Sequence, residues 1–128
     1  MRLLLDTHAF LWWVTEHERL AERARELITD GDNEVFFSAA SAWEIAIKAR
    51  LGRVHLSGDL ERFIPAHVAA NGFQVLPVHM RHALKVHALP DLHRDPFDRM
   101  LVAQAMVEAM ALVSGDPQVA RYPIEVLW

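Results

Sequence analysis

The chain has 128 residues, 52% of them hydrophobic, which predicts one globular domain over residues 1–128. It contains no cysteine, which excludes disulfides, thiolate metal ligands and cysteine nucleophiles and is compatible with a reducing cytoplasm. Neither a signal peptide nor a run near the ~20 apolar residues of a membrane span is visible, so we expect a cytoplasmic protein without membrane contact.

The formal net charge is −4, from 17 acidic and 13 basic residues, and taken alone it argues against a nucleic-acid-binding surface. That argument weakens if several acids are gathered at one metal site. Setting four acids aside leaves 13 acids against 13 bases, so the remaining surface would be balanced. A bound divalent ion would then make the acidic site attractive to phosphate.

Short apolar runs alternate with helical stretches along the whole chain. In order, the predicted elements are a strand at 2–5, helices at 7–14 and 18–31, a strand at 34–38, helices at 39–52 and 59–70, a strand at 73–78, a helix at 79–87, a loop at 89–95, a helix at 96–110, and strands at 111–116 and 123–128. The strands do not alternate polar and apolar residues. They therefore predict an α/β fold with a short-stranded, mostly parallel central sheet and helices on both faces.

Acidic residues follow two of the predicted strands. Asp6 comes after the run LLL, and Asp116 comes after ALVSG. In open parallel sheets, ligands bind beyond the carboxyl ends of the strands, which makes both residues candidates for a site. Each also has a structural interpretation, because Asp6 could cap the helix that begins at Thr7 and Asp116-Pro117 is a common turn pair.

Two further aspartates lie three residues apart at the start of the helix at 96–110. Asp95 is a good N-cap before Pro96, and the helix dipole would favour Asp98 in the first turn. Capping does not require Asp98, however, since glutamate or glutamine serves a capping box better. Asp98 also shares its side of the helix with Leu101 and other apolar residues, which should place its carboxylate over the strand ends.

A glutamate lies near the start of the helix that follows the strand at 34–38. Glu44 and Lys48 are spaced for an exposed ion pair along one helix face, worth about 0.2–0.5 kcal/mol. The position of Glu44 near a strand's carboxyl end favours a functional role instead. Four acids would then converge, and two unit charges at 4 Å repel by about 4 kcal/mol at an effective dielectric of 20. With oxygen ligands and no cysteine, Mg²⁺ or Mn²⁺ is the natural compensating ion.

Four stretches, in this order, resemble the PIN-domain ribonucleases, specifically the toxin half of VapBC-type toxin–antitoxin pairs. They are LLLDTHAFLWW, SAASAWEIAIKARLGRV, LPDLHRDPFDRMLVAQA and ALVSGDPQVARYPIEVLW, and together they extend over essentially the whole chain. The resemblance implies a PIN domain with metal-dependent endoribonuclease activity, in which metal-activated water hydrolyses RNA phosphodiester bonds. It also implies a VapB-type antitoxin partner and a homodimer, or a larger toxin–antitoxin complex.

Carried over by position, the resemblance implies which residues form the site. The catalytic residues and ligands of Mg²⁺ or Mn²⁺ are expected to be Asp6, Glu44, Asp98 and Asp116, with Ser114 as the accompanying hydroxyl. Asp95 belongs to the extended DPFD variant and either joins the metal ligands or only caps the helix. The number of metal ions stays open. Candidate RNA contacts are Arg94, Arg99 and Lys48, although such bases more often pair with nearby acids.

Several other side chains have structural interpretations that we favour. His79, His82 and His87 lack a cysteine or clear carboxylate that would complete a zinc site. His8 and His93 adjoin predicted site residues and could contact the ligands or the substrate. We expect Trp12, Trp13 and Trp43 in the core or at an interface.

Two other function classes stay open on sequence alone. A non-catalytic module of the same fold would bind RNA or a partner without cutting, but it would normally have lost one of the four acids. A receiver-like or phosphatase-like domain needs a second aspartate two residues after the first, or a lysine after a late strand. The segments DTH and SGDPQ supply neither.

Overall fold

A parallel sheet of five strands runs through the computed structural model, which describes all 128 residues. The strands are β1 (Arg2–Leu5), β2 (Glu34–Ser38), β3 (Gln74–Leu76), β4 (Ala111–Val113) and β5 (Val126–Leu127), in the spatial order β3-β2-β1-β4-β5. Every neighbouring pair is parallel, so the predicted α/β fold is confirmed and the sheet is wholly parallel.

Helices cover both faces of the sheet, which explains the uninterrupted apolar strands. They are α1 (Thr7–Val14), α2 (Glu22–Thr29), α3 (Ala39–Arg50), α4 (Leu60–Ala70), α5 (Met80–Val86) and α6 (Pro96–Glu108). Side chains of β1 alternate between two cores, as strand geometry requires. Leu3 and Leu5 pack with Phe10 and residues of α2 and α4, whereas Leu4 packs on the opposite face with Leu101 of α6. No helix is both long enough and apolar enough to pass through a membrane.

The boundaries of several elements differ from those predicted. Helix α2 begins at Glu22 rather than residue 18, because the chain turns after α1 and Glu16 takes a positive φ of 52°. Leu20 lies in this turn and is still buried, so its apolar side chain packs in the core without being part of a helix. The last three strands keep only two or three residues each, and α6 ends at Glu108 with Ala109 as a left-handed cap. A 3₁₀ turn at Val119–Arg121 was not predicted.

A chain of buried polar side chains links α5 and α6 to the end of β2. The Ser38 hydroxyl donates to Gln104 Oε1 at 2.6 Å, and Gln104 Nε2 donates to the Pro77 carbonyl oxygen at 3.3 Å. His82, also fully buried, lies beside Gln104 and contacts Glu108 through Nε2 at 3.0 Å. Since unpaired buried polar groups are costly, these bonds fix the α6 helix against the strand edge.

Candidate active site

The sheet and its connections place acidic residues at the edge formed by the carboxyl ends of the strands. Asp6 directly follows β1, and Asp116 lies in the loop after β4. Glu44 is on α3, which begins immediately after β2, and Asp98 is in the first turn of α6. Because β1, β2 and β4 are neighbouring parallel strands, their carboxyl ends meet at the same place.

Asp6 is a helix cap whose carboxylate is withdrawn from solvent. The side chain is buried, and Oδ1 accepts a 2.7 Å hydrogen bond from the Ala9 amide at the start of α1. Burial raises the pKa of the Asp6 carboxyl above its ordinary value, and a hydrogen bond from Ser114 opposes that rise in pKa. Asp6 therefore fulfils the capping interpretation and also lies in the acidic cluster, where Asp116 is a second charge near it.

Glu44 is buried, although it also forms the ion pair with Lys48 that their spacing predicted for an exposed helix face. Only 3% of the residue is accessible to solvent. Oε1 accepts a 2.6 Å hydrogen bond from Thr7 Oγ1, and Oε2 lies 2.5 Å from Lys48 Nζ. Thr7 and Lys48 therefore hold the desolvated Glu44 carboxylate in one orientation on the inner side of α3.

Asp98 and Asp95 divide the two roles that the sequence left open. Asp95 caps α6, because its Oδ1 accepts from the amides of Phe97 at 2.8 Å and Asp98 at 3.0 Å. The Asp98 carboxylate takes no part in the cap. Burial, with smaller contributions from the charges of Asp95, Glu44 and Asp6, raises the pKa of Asp98 to about 7.

His93 bridges the two outer aspartates of the cluster. Its Nε2 lies 3.1 Å from Asp98 Oδ2 and 3.0 Å from Asp116 Oδ2. Its Nδ1 accepts the Asp95 amide hydrogen at 3.1 Å, so the neutral ring carries its proton on Nε2. In this tautomer His93 faces the carboxylates as a donor rather than as a metal ligand, and it partly offsets their repulsion.

The donor set fits a hard divalent cation. Carboxylate oxygens of Asp98 and Asp116 lie within 4.8 Å of each other and of the His93 ring nitrogen, a close group that does not include Asp6 or Glu44, and carboxylate oxygens are the ligands that Mg²⁺ and Mn²⁺ prefer. Burial raises the pKa of both Asp6 and Asp98, and neighbouring acids add to the rise. A divalent cation held here would favour the ionised carboxylates.

The three basic residues proposed to contact RNA differ in whether their side chains already bind other groups of the protein. Arg99 donates to the carbonyl oxygens of Pro90 and Val86 at 2.9 and 3.1 Å and to the Tyr122 hydroxyl, which braces the loop before α6. Arg94 is exposed and lines an open cavity of about 1040 Å³ beside the cluster. Lys48 is engaged by Glu44.

Sequence reasoning offered His93 as a possible contact of the ligands or the substrate, but it could not say which acids His93 meets. Its contact with Asp116 spans 23 residues of sequence and depends on how the loop before α6 meets the loop after β4. The one local signal was its position two residues before a helix-capping aspartate. The buried His82 and Glu108 contact was missed as well, because the two residues lie on different helices.

The chain is a wholly parallel α/β domain with an acidic centre at the carboxyl edge of its sheet, the class of site that could hold a divalent cation. A protein-family model described as the PIN domain matches residues 3–125. Ribonuclease VapC22 of Mycobacterium tuberculosis is 32% identical over 122 residues, covering 89% of this chain and 86% of that protein. The chain belongs to the PIN-domain family and is of the VapC type, as the sequence resemblance predicted.

Further comparisons agree with this assignment. Ribonuclease VapC16 of M. tuberculosis is 37% identical over 70 residues, which cover 52% of this chain and 50% of that protein. The crystal structure of VapBC2 from Rickettsia felis, bound to a DNA fragment from their promoter, matches with a TM-score of 0.74 at 13% identity, covering 100% of this chain and 99% of that one. DNA-bound VapBC from Salmonella typhimurium matches with a TM-score of 0.69 at 18% identity, covering 99% and 97%. At these identities the structures establish a shared fold.

The raised pKa of Asp98 predicts how Asp98→Asn changes stability with pH in the absence of metal. An unfolded aspartate ionises near 3.8, whereas folded Asp98 ionises near 7, so the folded wild type loses stability as pH rises between these values. Asp98→Asn removes this loss and should be more stable than wild type at pH 8 by about 1–3 kcal/mol, allowing for solvent screening. The difference should nearly vanish at pH 4. Urea unfolding in EDTA measures it.

Asp32→Asn is the matched control, because Asp32 is exposed in the turn before β2 and its carboxylate has neither a hydrogen-bond nor an ion-pair partner. Its stability should follow that of wild type at both pH values. A stability difference between Asp98→Asn and wild type that is the same at pH 4 and pH 8 would contradict the inferred burial of charge.

Proposed function

We propose that this chain is a metal-dependent endoribonuclease and the toxin of a VapBC-type pair, acting in the cytoplasm. The observation that carries the proposal is the acidic cluster at the sheet edge, where Asp98 and Asp116 meet at His93 and burial raises the pKa of Asp6 and Asp98, so that a bound cation would favour their ionised forms. Membership of the PIN-domain family and similarity to the ribonuclease VapC22 supply the reaction class. RNA is then the substrate, and hydrolysis of a phosphodiester is the reaction.

The residues of the acidic cluster would have different roles in this reaction. Asp6, Asp98 and Asp116 would hold Mg²⁺ or Mn²⁺, and the bound ion supplies an acidified water near neutral pH and stabilises charge on the phosphate. Glu44, fixed by Thr7 and Lys48, holds an oriented carboxylate that can accept a proton from, or position, the attacking water. Ser114 donates to Asp6 and accepts from the Asp116 amide at 3.1 Å, so it sets the geometry of both acids.

RNA affinity would come from cations beside the cluster. Arg94 is the exposed candidate in the large cavity, where it can contact a phosphate without reading sequence. Arg99 would act indirectly, because its bonds to Pro90 and Tyr122 hold the loop that carries His93 and Asp95. Lys48 would act through Glu44.

The proposed reaction predicts that RNA cleavage depends on both the ion and Asp98. Purified protein should cut a mixed-sequence RNA with Mn²⁺ or Mg²⁺, and EDTA should abolish the cut. Asp98→Asn should lose at least about 100-fold in rate, because a ligand is removed, while Asp32→Asn, at the opposite edge of the sheet, should retain the wild-type rate. Cleavage that survives both chelation and Asp98→Asn would refute the mechanism.

The partners proposed for this chain are a VapB-type antitoxin and a second copy of the chain. The structures from Rickettsia felis and Salmonella typhimurium are VapBC complexes, which supports an antitoxin as a partner of this chain. Met80 and Leu84 of α5 are exposed apolar side chains, as are Val75 of β3 and Val78 in the connection that leads to α5. Exposed apolar side chains are typical of protein interfaces, and we propose that Met80 and Leu84 contact a second copy.

The proposed dimer contact predicts that a charge at Leu84 separates the copies. Leu84 is 68% exposed in the single chain, so Leu84→Lys should not disturb the core. Wild type should sediment as a dimer and Leu84→Lys as a monomer, while Ala66→Lys on the exposed side of α4 should remain dimeric. A Leu84→Lys variant that sediments as wild type does would exclude this face as the contact.

A further inference from the structure

A cavity of about 420 Å³ lies directly beside the acidic cluster and has a wall that is partly aromatic and partly charged. Its principal lining residues are Asp6, His8, Trp12, Arg19, Asp116 and Trp128. We propose that this cavity binds one nucleotide of the RNA, next to the phosphodiester that is cut, with the base against the aromatic rings and a phosphate on Arg19. The inference rests on the nuclease function proposed above and names where its substrate is held.

The aromatic wall is organised around Trp12. Its ring centroid lies 5.3 Å from that of His8 and 5.8 Å from that of Trp128, while His17 stacks on it at 5.7 Å with an interplanar angle of 26°. Of these, His8 is the exposed ring, so it presents a free face beside the acids. Flat aromatic surfaces bind single-stranded RNA by stacking on its bases, whatever the base.

Trp128 is fixed against the loop that carries Asp116. A Cβ atom at Gly115 would lie 2.6 Å from Cε2 of Trp128 and 2.8 Å from its Nε1, so the indole rests on the Gly115 backbone. Only glycine leaves room for that approach. The aromatic wall therefore adjoins the loop that carries Asp116, which would place a bound base beside a phosphate at the acidic cluster.

Arg19 brings a free positive charge to the cavity. Its amide donates to His17 Nδ1 at 3.0 Å, which fixes the turn after α1, while its guanidinium makes neither an ion pair nor a side-chain hydrogen bond. The guanidinium is exposed and lines the same cavity as Asp6 and Asp116 without pairing with either. Arginine binds phosphate through two N–H groups, so a strand entering here can be held at its backbone.

The larger cavity on the His93 side has a different chemistry. It is lined by Asp91, Leu92, His93, Arg94, Asp95, Arg99 and Gln118, and contains no tryptophan, tyrosine or phenylalanine. Because His93 contacts Asp116, the two cavities adjoin through the cluster itself. A strand whose phosphate lies over the acids would thus have a polar channel for its backbone on one side and an aromatic recess for a base on the other.

Indole N–H resonances of ¹⁵N-labelled protein test the subsite directly, with adenosine 5′-monophosphate and ribose 5-phosphate as probes in Mg²⁺. Adenosine monophosphate should shift the Trp12 and Trp128 signals saturably and bind at least about tenfold more tightly than ribose 5-phosphate, because only it carries a base. Trp13, whose Nε1 donates to Asn71 Oδ1 at 3.0 Å, lines a different cavity and should not shift. Single Trp→Phe variants assign the signals.

Arg19→Gln should weaken adenosine monophosphate binding by about tenfold, and Arg23→Gln, the same change on the exposed face of α2, should leave it unchanged. Equal binding of the two probes, unshifted Trp12 and Trp128 signals, or equal affinities of the two arginine variants would overturn the subsite. RNA cleavage by the same wild-type sample separates the two proposals. Cleavage without a base-dependent shift refutes only the subsite, whereas the shift without cleavage supports the subsite and contradicts the nuclease function.

Discussion

Repulsion between carboxylates that the sheet forces together is the constraint on which this structure depends. Neighbouring parallel strands must end at one edge, and here β1, β2 and β4 are followed by acidic residues or by helices that carry them. The fold offsets each charge differently. Asp6 receives an amide and a hydroxyl, Glu44 receives Thr7 and Lys48, and Asp98 and Asp116 share His93. Burial outweighs the contact of Asp98 with His93, which is why the pKa of Asp98 stays high.

The fold was predictable because its signals are local. The run LLL, with apolar residues at every position, indicates a strand buried on both faces, and the alternation with helices indicates parallel connections. Asp95-Pro96 predicted the start of α6, which the cap confirms. The predicted start of α2 was wrong because Leu20 is buried in a turn. A buried leucine looks the same in the sequence whether it lies in a turn or in a helix.

The candidate site was only partly predictable. Strand ends and helix starts located the four acids, since topology alone brings such positions together. The burial of Glu44 could not be inferred, because its spacing from Lys48 is that of an ordinary exposed ion pair. Glu44 differs from such a pair in its contact with Thr7 of α1, which lies far away in the sequence. The role of His93 and the wall formed by Trp12 and Trp128 depend on contacts between distant loops, for which one sequence carries no periodic signal.

Titration calorimetry of metal-free protein with Mn²⁺ at pH 7, in two buffers of different ionisation enthalpy, tests most directly whether the clustered acids form a cation site. Because folded Asp98 is partly protonated at this pH, wild type should bind Mn²⁺ saturably and release up to about one proton, and Asp98→Asn should bind more weakly and release less. Asp32→Asn should match wild type. The absence of saturable Mn²⁺ binding, or identical affinity and proton release in wild type and Asp98→Asn, would contradict the account.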